Sequence, residues 1–296
     1  MVVGTVGIDN IATPSGQVTE VLGGSASYAA MASCLFAPTT LTSVVGEDFP
    51  DAHRQILEAR DIDLDGLEVA KGKTFRWGGR YHDDLNTRDT EFVDLNVVAD
   101  FQPHVPSASA SNGFVFLGNT SPGVQMSVLD QVDDGSFVIT DSMDFWIEGQ
   151  GEALTEVFRQ SSLVVLNDQE VRMFSRSQSL PDAVAHILGL GPQAVAVKRG
   201  EYGAALAAGE EWFFAPGYPL PDVVDPTGAG DSFAGAMLGS IAEAGEANAA
   251  VMRRAIVYGS VVASYTVESF GTDRLATLTR AEVDARYHAF RRLVEF

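Results

Sequence analysis

Short runs of β-branched and apolar residues return along this chain with helix-forming stretches between them, and that alternation leaves few folds open. The runs are VVGTVGI (2–8), TLTSVVG (40–46), FVFLG (114–118), SFVITD (136–141), LVVLN (163–167) and AVAVKRG (194–200). They are apolar on successive residues rather than on alternate ones, so both faces of each strand need cover. Helices are expected between them at 25–36, 49–60, 123–132, 151–160, 168–175 and 181–189. Strands of this kind separated by helices imply an α/β fold with a central, mostly parallel β-sheet flanked by helices. After residue 225 the pattern turns to helix upon helix, at 230–244, 248–267 and 279–293. No Pro/Gly/Ser-rich linker divides the chain, so residues 1–296 are read as one domain.

Two stretches break the alternation. Residues 10–24 (NIATPSGQVTEVLGG) and 72–101 (GKTFRWGGRYHDDLNTRDTEFVDLNVVADF) are polar, β-prone and interrupted by glycine. Together they make a small second sheet, expected to act as a lid over a site; an ordinary edge hairpin is the plainer alternative. In FRWGGRY (75–81) the period of two puts Phe75, Trp77 and Tyr81 on one face and Arg76 and Arg80 on the other. The aromatics could stack on a sugar ring or a nucleobase, and the arginines could grip a phosphate.

Charge narrows the partners. With 19 Lys+Arg against 40 Asp+Glu the formal net charge is −21, which argues against nucleic acid or an anionic membrane. A single cysteine, Cys34, allows no internal disulfide, and no apolar run approaches the ~20 residues of a membrane helix. The start MVVGTVGIDN enters strand-like sequence directly, so a soluble cytoplasmic protein is expected. Acid-rich, lysine-poor surfaces also suit a salty interior, where screening relieves self-repulsion.

The chemistry concentrates in DPTGAGDSFAGA (225–236). Gly228, Ala229 and Gly230 let successive N–H groups turn toward one point, and the helix that follows adds its positive end. Such a concavity stabilises charge on a phosphoryl group in transfer, and Asp231 at its mouth is placed to take a proton from an attacking hydroxyl. No Walker-type G-x-x-x-x-G-K-[ST] occurs. Helix capping would explain Asp231 alone, but not Asp225, Thr227 and both glycines.

This stretch resembles the second signature of the ribokinase-like, PfkB-type carbohydrate kinases. The resemblance implies a ribokinase-like fold, an anion hole from Gly228, Ala229 and Gly230, and Asp231 as general base. It also implies that Asp225 and Thr227 help hold a monovalent cation, usually potassium, beside the nucleotide. LNDQE (166–170) is similar to the family's N-x-x-E motif, which makes Asn167 and Glu170 organisers of Mg²⁺ through water. The bare alternative is a helix start using Asp168 and Glu170 for its dipole. Lys198, Gly200 and Gly203 in VKRGEYG match a strand–G-x-x-G segment lining the nucleotide side, where Lys198 and Arg199 would approach phosphate or adenine.

On the acceptor side, Asp9 stands just beyond the first strand, where α/β sheets bind ligands. In the family an Asp there accepts hydrogen bonds from substrate hydroxyls. Gly23 and Gly24, opening GGSASYAAMAS (23–33), are similar to the first family signature. Tyr28 departs from it, because many sugar kinases carry Asn at that position. The segment 259–272 matches the region that closes over adenine. The resemblance therefore implies an ATP- and Mg²⁺-dependent kinase of a sugar or polyol, with potassium as a further cofactor. A nucleoside acceptor is the alternative, supported by the aromatics at 28 and 75–81; a sugar phosphate and a non-catalytic binding protein follow. The acceptor is a small molecule, and a homodimer through the lid agrees with family habit and with the apolar alternation of 72–98.

Overall fold

The computed structural model describes residues 1–111 and 113–295. Its strands, in chain order, are β1 (Val2–Val3), β2 (Gly7–Thr13), β3 (Gly16–Gly23), β4 (Thr40–Gly46), β5 (Asp63–Ala70), β6 (Phe75–Tyr81) and β7 (Arg88–Asp94). They continue with β8 (Phe114–Leu117), β9 (Phe137–Asp141), β10 (Leu163–Asn167), β11 (Ala194–Lys198), β12 (Ala204–Ala208) and β13 (Glu211–Ala215). Nine of them form the main sheet in the order β13-β12-β11-β10-β9-β8-β1-β4-β5. From β5 to β11 the neighbours run parallel, and β12 and β13 complete the edge antiparallel. This is the central, mostly parallel sheet flanked by helices that the alternation predicts.

Alternate residues of each strand feed two separate cores, as the pleat requires. Leu163 and Val165 pack with the helices Ser25–Ser33, Ala229–Ala244 and Ala249–Thr266. Val164 and Leu166 pack on the other face with the helices Asp144–Gln160, Asp168–Ser175 and Leu180–Leu188. The helix Ala229–Ala244 lies almost in backbone contact with Ser25–Ser33. A Cβ on Gly239 would stand 2.6 Å from the Ser33 carbonyl oxygen, and one on Gly235 would strike the Ala29 backbone. The two helices that carry Asp231 and Tyr28 are thus fixed to one another by small residues.

The remaining four strands form a second sheet, β3-β2-β6-β7. It is built from the 10–24 and 72–101 stretches expected to form a small second sheet, with residues 7–9 added at its start. It is tied to the main body by the Thr13 hydroxyl, which donates to the Val224 carbonyl at 2.8 Å, and by the Thr227 hydroxyl, which donates to Tyr81 Oη at 3.2 Å.

The run 2–8, expected as one strand, is two. Val2–Val3 stay in the main sheet, while Gly7–Thr13 belong to the lid. The chain crosses between sheets at Gly4, where a side chain would stand 2.6 Å from Ser25 Oγ. Asp9 is accordingly not beyond the end of the first main-sheet strand but inside β2, paired in register with Trp77. Three strands carried no clear signal. DLDGLEVA (63–70) is an edge strand with acidic residues facing water, and the hairpin 204–215 opens on the alanine-rich AALAA.

Candidate active site

Three neighbouring parallel strands end in polar residues at the same edge of the sheet. Asp141 closes β9, Asn167 closes β10 and Lys198 closes β11, with Val165 opposite Asp141 and Asn167 opposite Lys198. Strand carboxyl ends are where open α/β sheets bind ligands, and the helix Ala229–Ala244 brings the loop 225–231 to the same edge.

That loop is organised from below by Asp225, which is fully buried. Its Oδ1 accepts the Thr227 N–H and its Oδ2 the Gly271 N–H, both at 2.9 Å. One carboxylate oxygen therefore shapes the loop from within, and the other pins it to the turn ending the 259–272 segment. Gly228 then takes φ 72°, the left-handed conformation glycine tolerates best, and starts the helix with no side-chain cap. The Ala229 N–H turns back to the Pro226 carbonyl at 3.2 Å. Of the three amides expected in the anion hole, this one is already engaged, which leaves those of Gly228 and Gly230 for that expected role.

Asp231 lies in that first turn, partly accessible from the cleft. Burial raises its pKa to about 7, Asp141 adds to the rise, and Lys198 and Arg88 oppose it. A carboxyl poised near neutrality at a helix mouth suits a general base. Lys198 Nζ donates to Asp141 Oδ2 at 2.7 Å. Asp141 received no role from the sequence; its signal was its place at the end of SFVITD, beside two other strands with polar ends.

Asn167 and Glu170 form a reciprocal capping box: Asn167 Oδ1 accepts the Glu170 N–H at 2.8 Å and Glu170 Oε2 accepts the Asn167 N–H at 2.7 Å. The plainer helix-start reading thus accounts for Asn167 Oδ1 and one Glu170 oxygen. The other Glu170 oxygen has no hydrogen bond among the described residues, and burial raises this carboxyl to about 7 against the pull of Lys198. No cluster of three or more His, Cys, Asp or Glu able to hold a metal occurs among the described residues. The donors present therefore fit a Mg²⁺ carried by a nucleotide and met through water, not a protein cage. Gly200 and Gly203 shape the turn after β11, with φ of 54° and 86°; the lid's Asn86 reaches the same turn at Gly200.

The residues expected on the acceptor side include a buried acid, Asp9, and a buried aromatic, Tyr28. Asp9 is 3% exposed and its carboxyl lies against Gly23, where a Cβ has no room. Burial lifts its pKa to about 8, Asp225 and Asp231 adding to the rise and the neighbouring Gly24 N–H opposing it. Tyr28 is 1% exposed, and its phenol is pushed well above its usual pKa by burial and by Asp9. Asp9 Oδ1 and Tyr28 Oη are buried with no hydrogen-bond partner among the described residues. Trp77 stands in register beside Asp9, its ring over Gly79, with the Arg88 guanidinium 5.3 Å from the ring centroid. Arg76 is paired to Glu20 and Asp48 and Arg80 to Glu91, whereas Arg88 makes no ion pair among the described residues.

The pfkB family carbohydrate kinase model matches residues 1–278. The chain belongs to the pfkB family of carbohydrate kinases. A cytidine kinase of Thermococcus kodakarensis is 28% identical over 245 residues, covering 80% of this chain and 86% of that protein. Among solved structures, the nucleoside kinase of Methanocaldococcus jannaschii superposes with a TM-score of 0.78 at 19% identity, covering 97% of each chain. An Escherichia coli structure reported as a ribokinase II in complex with ATP and Mg²⁺ superposes with a TM-score of 0.79 at 21% identity, covering 97% of this chain and 98% of that one. These structures share the fold. A pfkB carbohydrate kinase is a phosphotransferase with a hydroxyl acceptor, and no helix among the described residues is long and apolar enough to cross a membrane.

Proposed function

We propose that this pfkB kinase transfers the γ-phosphate of ATP to a hydroxyl of a free sugar or polyol, with Asp231 taking the hydroxyl proton. The observation that carries the reading is the placement of two carboxyls in one cleft: Asp231 at the helix mouth, and Asp9 with an unpartnered buried oxygen on the lid side. An acceptor hydroxyl donating to Asp9 Oδ1 satisfies that oxygen, and a second hydroxyl of the same molecule then faces Asp231. Gly228, Gly230 and the helix start hold the phosphoryl group on the other side, Thr227 and the 200–203 turn bordering the nucleotide. Mg²⁺, when bound with the nucleotide, neutralises phosphate charge, with the free Glu170 oxygen and Asn167 as its water-mediated partners. A potassium ion near Asp225 and Thr227 completes the expected set. An ATP-using reaction also suits the cytoplasm. A homodimer through the lid is supported by the exposed apolar side chains of Val93 and Leu95.

A nucleoside is the second reading, favoured by the cytidine kinase relative and by the Trp77–Arg88 stack beside Asp9. A sugar phosphate is disfavoured, because of the three arginines that could form its cationic pocket, Arg76, Arg80 and Arg88, acidic partners already hold the first two. ADP release measured against a panel of sugars, polyols, nucleosides and sugar phosphates decides among them. The best kcat/KM is expected with a free sugar or polyol. A nucleoside leading the panel would transfer the assignment to the second reading, and no turnover with any acceptor would remove the enzyme reading.

A further inference from the structure

Lysine is scarce in this chain: Lys71, Lys73 and Lys198 are the only three, and the first two are exposed. Lys198 instead points into the protein, its side chain 17% exposed and its Nζ 2.7 Å from Asp141 Oδ2, on a carboxyl only 4% exposed. The same ammonium lies against the anion loop. A Cβ on Gly230 would stand 3.1 Å from Lys198 Nζ, with the Lys198 Cδ and Cε next nearest. Glu170 and Asp231 also feel its charge, so one cation stands among three carboxyls.

This arrangement answers a question the loop leaves open. The amides of Gly228 and Gly230 supply partial charges only, and the Ala229 amide is engaged by Pro226. No Walker lysine exists to bring a full positive charge to a phosphoryl group. An ammonium has three donors and is a compact point charge, so one bond to Asp141 leaves two for other oxygens.

We propose that the Lys198 ammonium, presented over Gly230 by Asp141, contacts the phosphoryl group being transferred, and that Asp141 is a positioning residue acting through Lys198. The proposal rests on the kinase reading of the site. It assigns the cation to the terminal phosphate rather than to adenine, and gives Asp141 its purpose. Asp141 fixes the ammonium before substrate arrives, so no charge has to be reorganised as the reaction proceeds. Arg88 also bears on Asp231, but it is exposed at the start of β7 and makes no ion pair among the described residues to anchor it.

The test compares Lys198→Met, Asp141→Asn, the double variant and Lys198→Arg. Affinities for ADP and for a non-hydrolysable ATP analogue, both with Mg²⁺, are measured by calorimetry, and kcat is measured with the best acceptor of the panel. Lys198→Met is expected to weaken the analogue about tenfold or more while ADP changes by less than about threefold. Asp141→Asn should show the same selectivity more weakly. The double variant should be no worse than Lys198→Met alone, because the two residues act as one unit, and Lys198→Arg should recover part of the analogue affinity. If Lys198→Met fails to fold because Asp141 is left unpaired, the double variant removes both charges and carries the same comparison. Equal losses for ADP and the analogue, or no loss for either, would overturn the contact. Additive losses would overturn the role of Asp141. A wild-type protein that binds neither nucleotide would overturn the kinase reading itself, and this inference with it.

Discussion

The ring of Tyr28 occupies the space that any side chain on Gly228 would need. The helix carrying Tyr28 is locked against the helix carrying Asp231, so neither ring nor loop can retreat. The φ of 72° at Gly228 adds a backbone cost for every other residue. Gly228→Ala is therefore expected to displace the helix mouth. A shift near 1 Å at a reacting group is enough to lower kcat by about 10²-fold. Calorimetric melting should show a lower Tm at the same time. Wild-type kcat in this variant would show that the loop does not position the reaction.

Asp231→Asn keeps shape and removes the base. Loss of general-base catalysis is expected to lower kcat by about 10²–10⁴-fold, with nucleotide affinity little changed. The pH profile separates this from a packing defect. Because the carboxyl sits near 7 and must be ionised to accept a proton, kcat/KM of the wild type should rise with pH through that region. The residual activity of the variant should lack that limb. A limb that persists in Asp231→Asn would assign the proton to another group.

Asp9 carries a cost in stability that its substitution should reveal. Its folded pKa is about 8 against an ordinary 3.8, so between those values the folded state keeps a proton that the unfolded state has lost. Stability is highest on the acid side of that window and falls as pH rises through it. Asp9→Asn removes this dependence, worth a few kcal/mol at most, while Glu170 and Asp231, both near 7, continue to contribute theirs. Each kcal/mol moves Tm by about 2–4 °C in a chain of this order. The variant should thus melt several degrees above wild type at pH 8 and close to it at pH 4, while acceptor KM rises steeply. A Tm gain independent of pH would mean that ionisation of Asp9 is not the cause.

The parts of this site that one short segment can build alone were readable in the sequence. In 225–231 and in 167–170 the residues turn on themselves, so spacing already implies geometry. What was not readable needs a distant partner. Lys198 lies 57 positions from Asp141, and Tyr28 meets Gly228 only because two helices touch through Gly235 and Gly239. The fold divides in the same way. Strands buried on both faces, such as β4 and β10, announce themselves by composition. The edge strand β5, whose acids face water, does not, nor does the alanine-rich β12. The crossing at Gly4 was hidden because residues 2–8 are strand-prone and uncharged, whichever sheet each joins.

Trp77 and Arg88 should tell the acceptor classes apart. Trp77 is in register with Asp9, and the Arg88 guanidinium lies over its ring. Stacking on a nucleobase contributes about 1–3 kcal/mol per base, as alanine substitution shows in proteins that bind single strands. Trp77→Ala should therefore raise the KM of a nucleoside acceptor by about tenfold or more and that of a free sugar less, leaving the KM of ATP unchanged. Steady-state kinetics with one acceptor of each class provides the comparison. An equal effect on both would confine Trp77 to packing the lid over Gly79.

Salt should stabilise this protein, and the choice of cation should separate two causes. A formal charge of −21 repels itself in the folded state. Raising KCl from about 0.01 M to about 1 M shortens the screening length from about 30 Å to about 3 Å. Attractive pairs are screened as well, but the best connected resist it. Arg280 joins Glu243 and Asp284 and covers the Phe36 ring at 4.7 Å, and Arg286 packs on Tyr265 while bonding Glu268. Repulsion among 40 acids opposed by 19 cations is therefore what screening mainly removes. Tm is expected to rise by several degrees, equally in KCl and NaCl. A potassium ion held near Asp225 would behave differently, because Asp225 ties the 225–231 loop to Gly271. It would raise kcat at millimolar KCl, where screening is weak, and NaCl would not replace it. Equal Tm at low and high salt would remove the self-repulsion argument, and kcat indifferent to the choice of cation would remove potassium from the site.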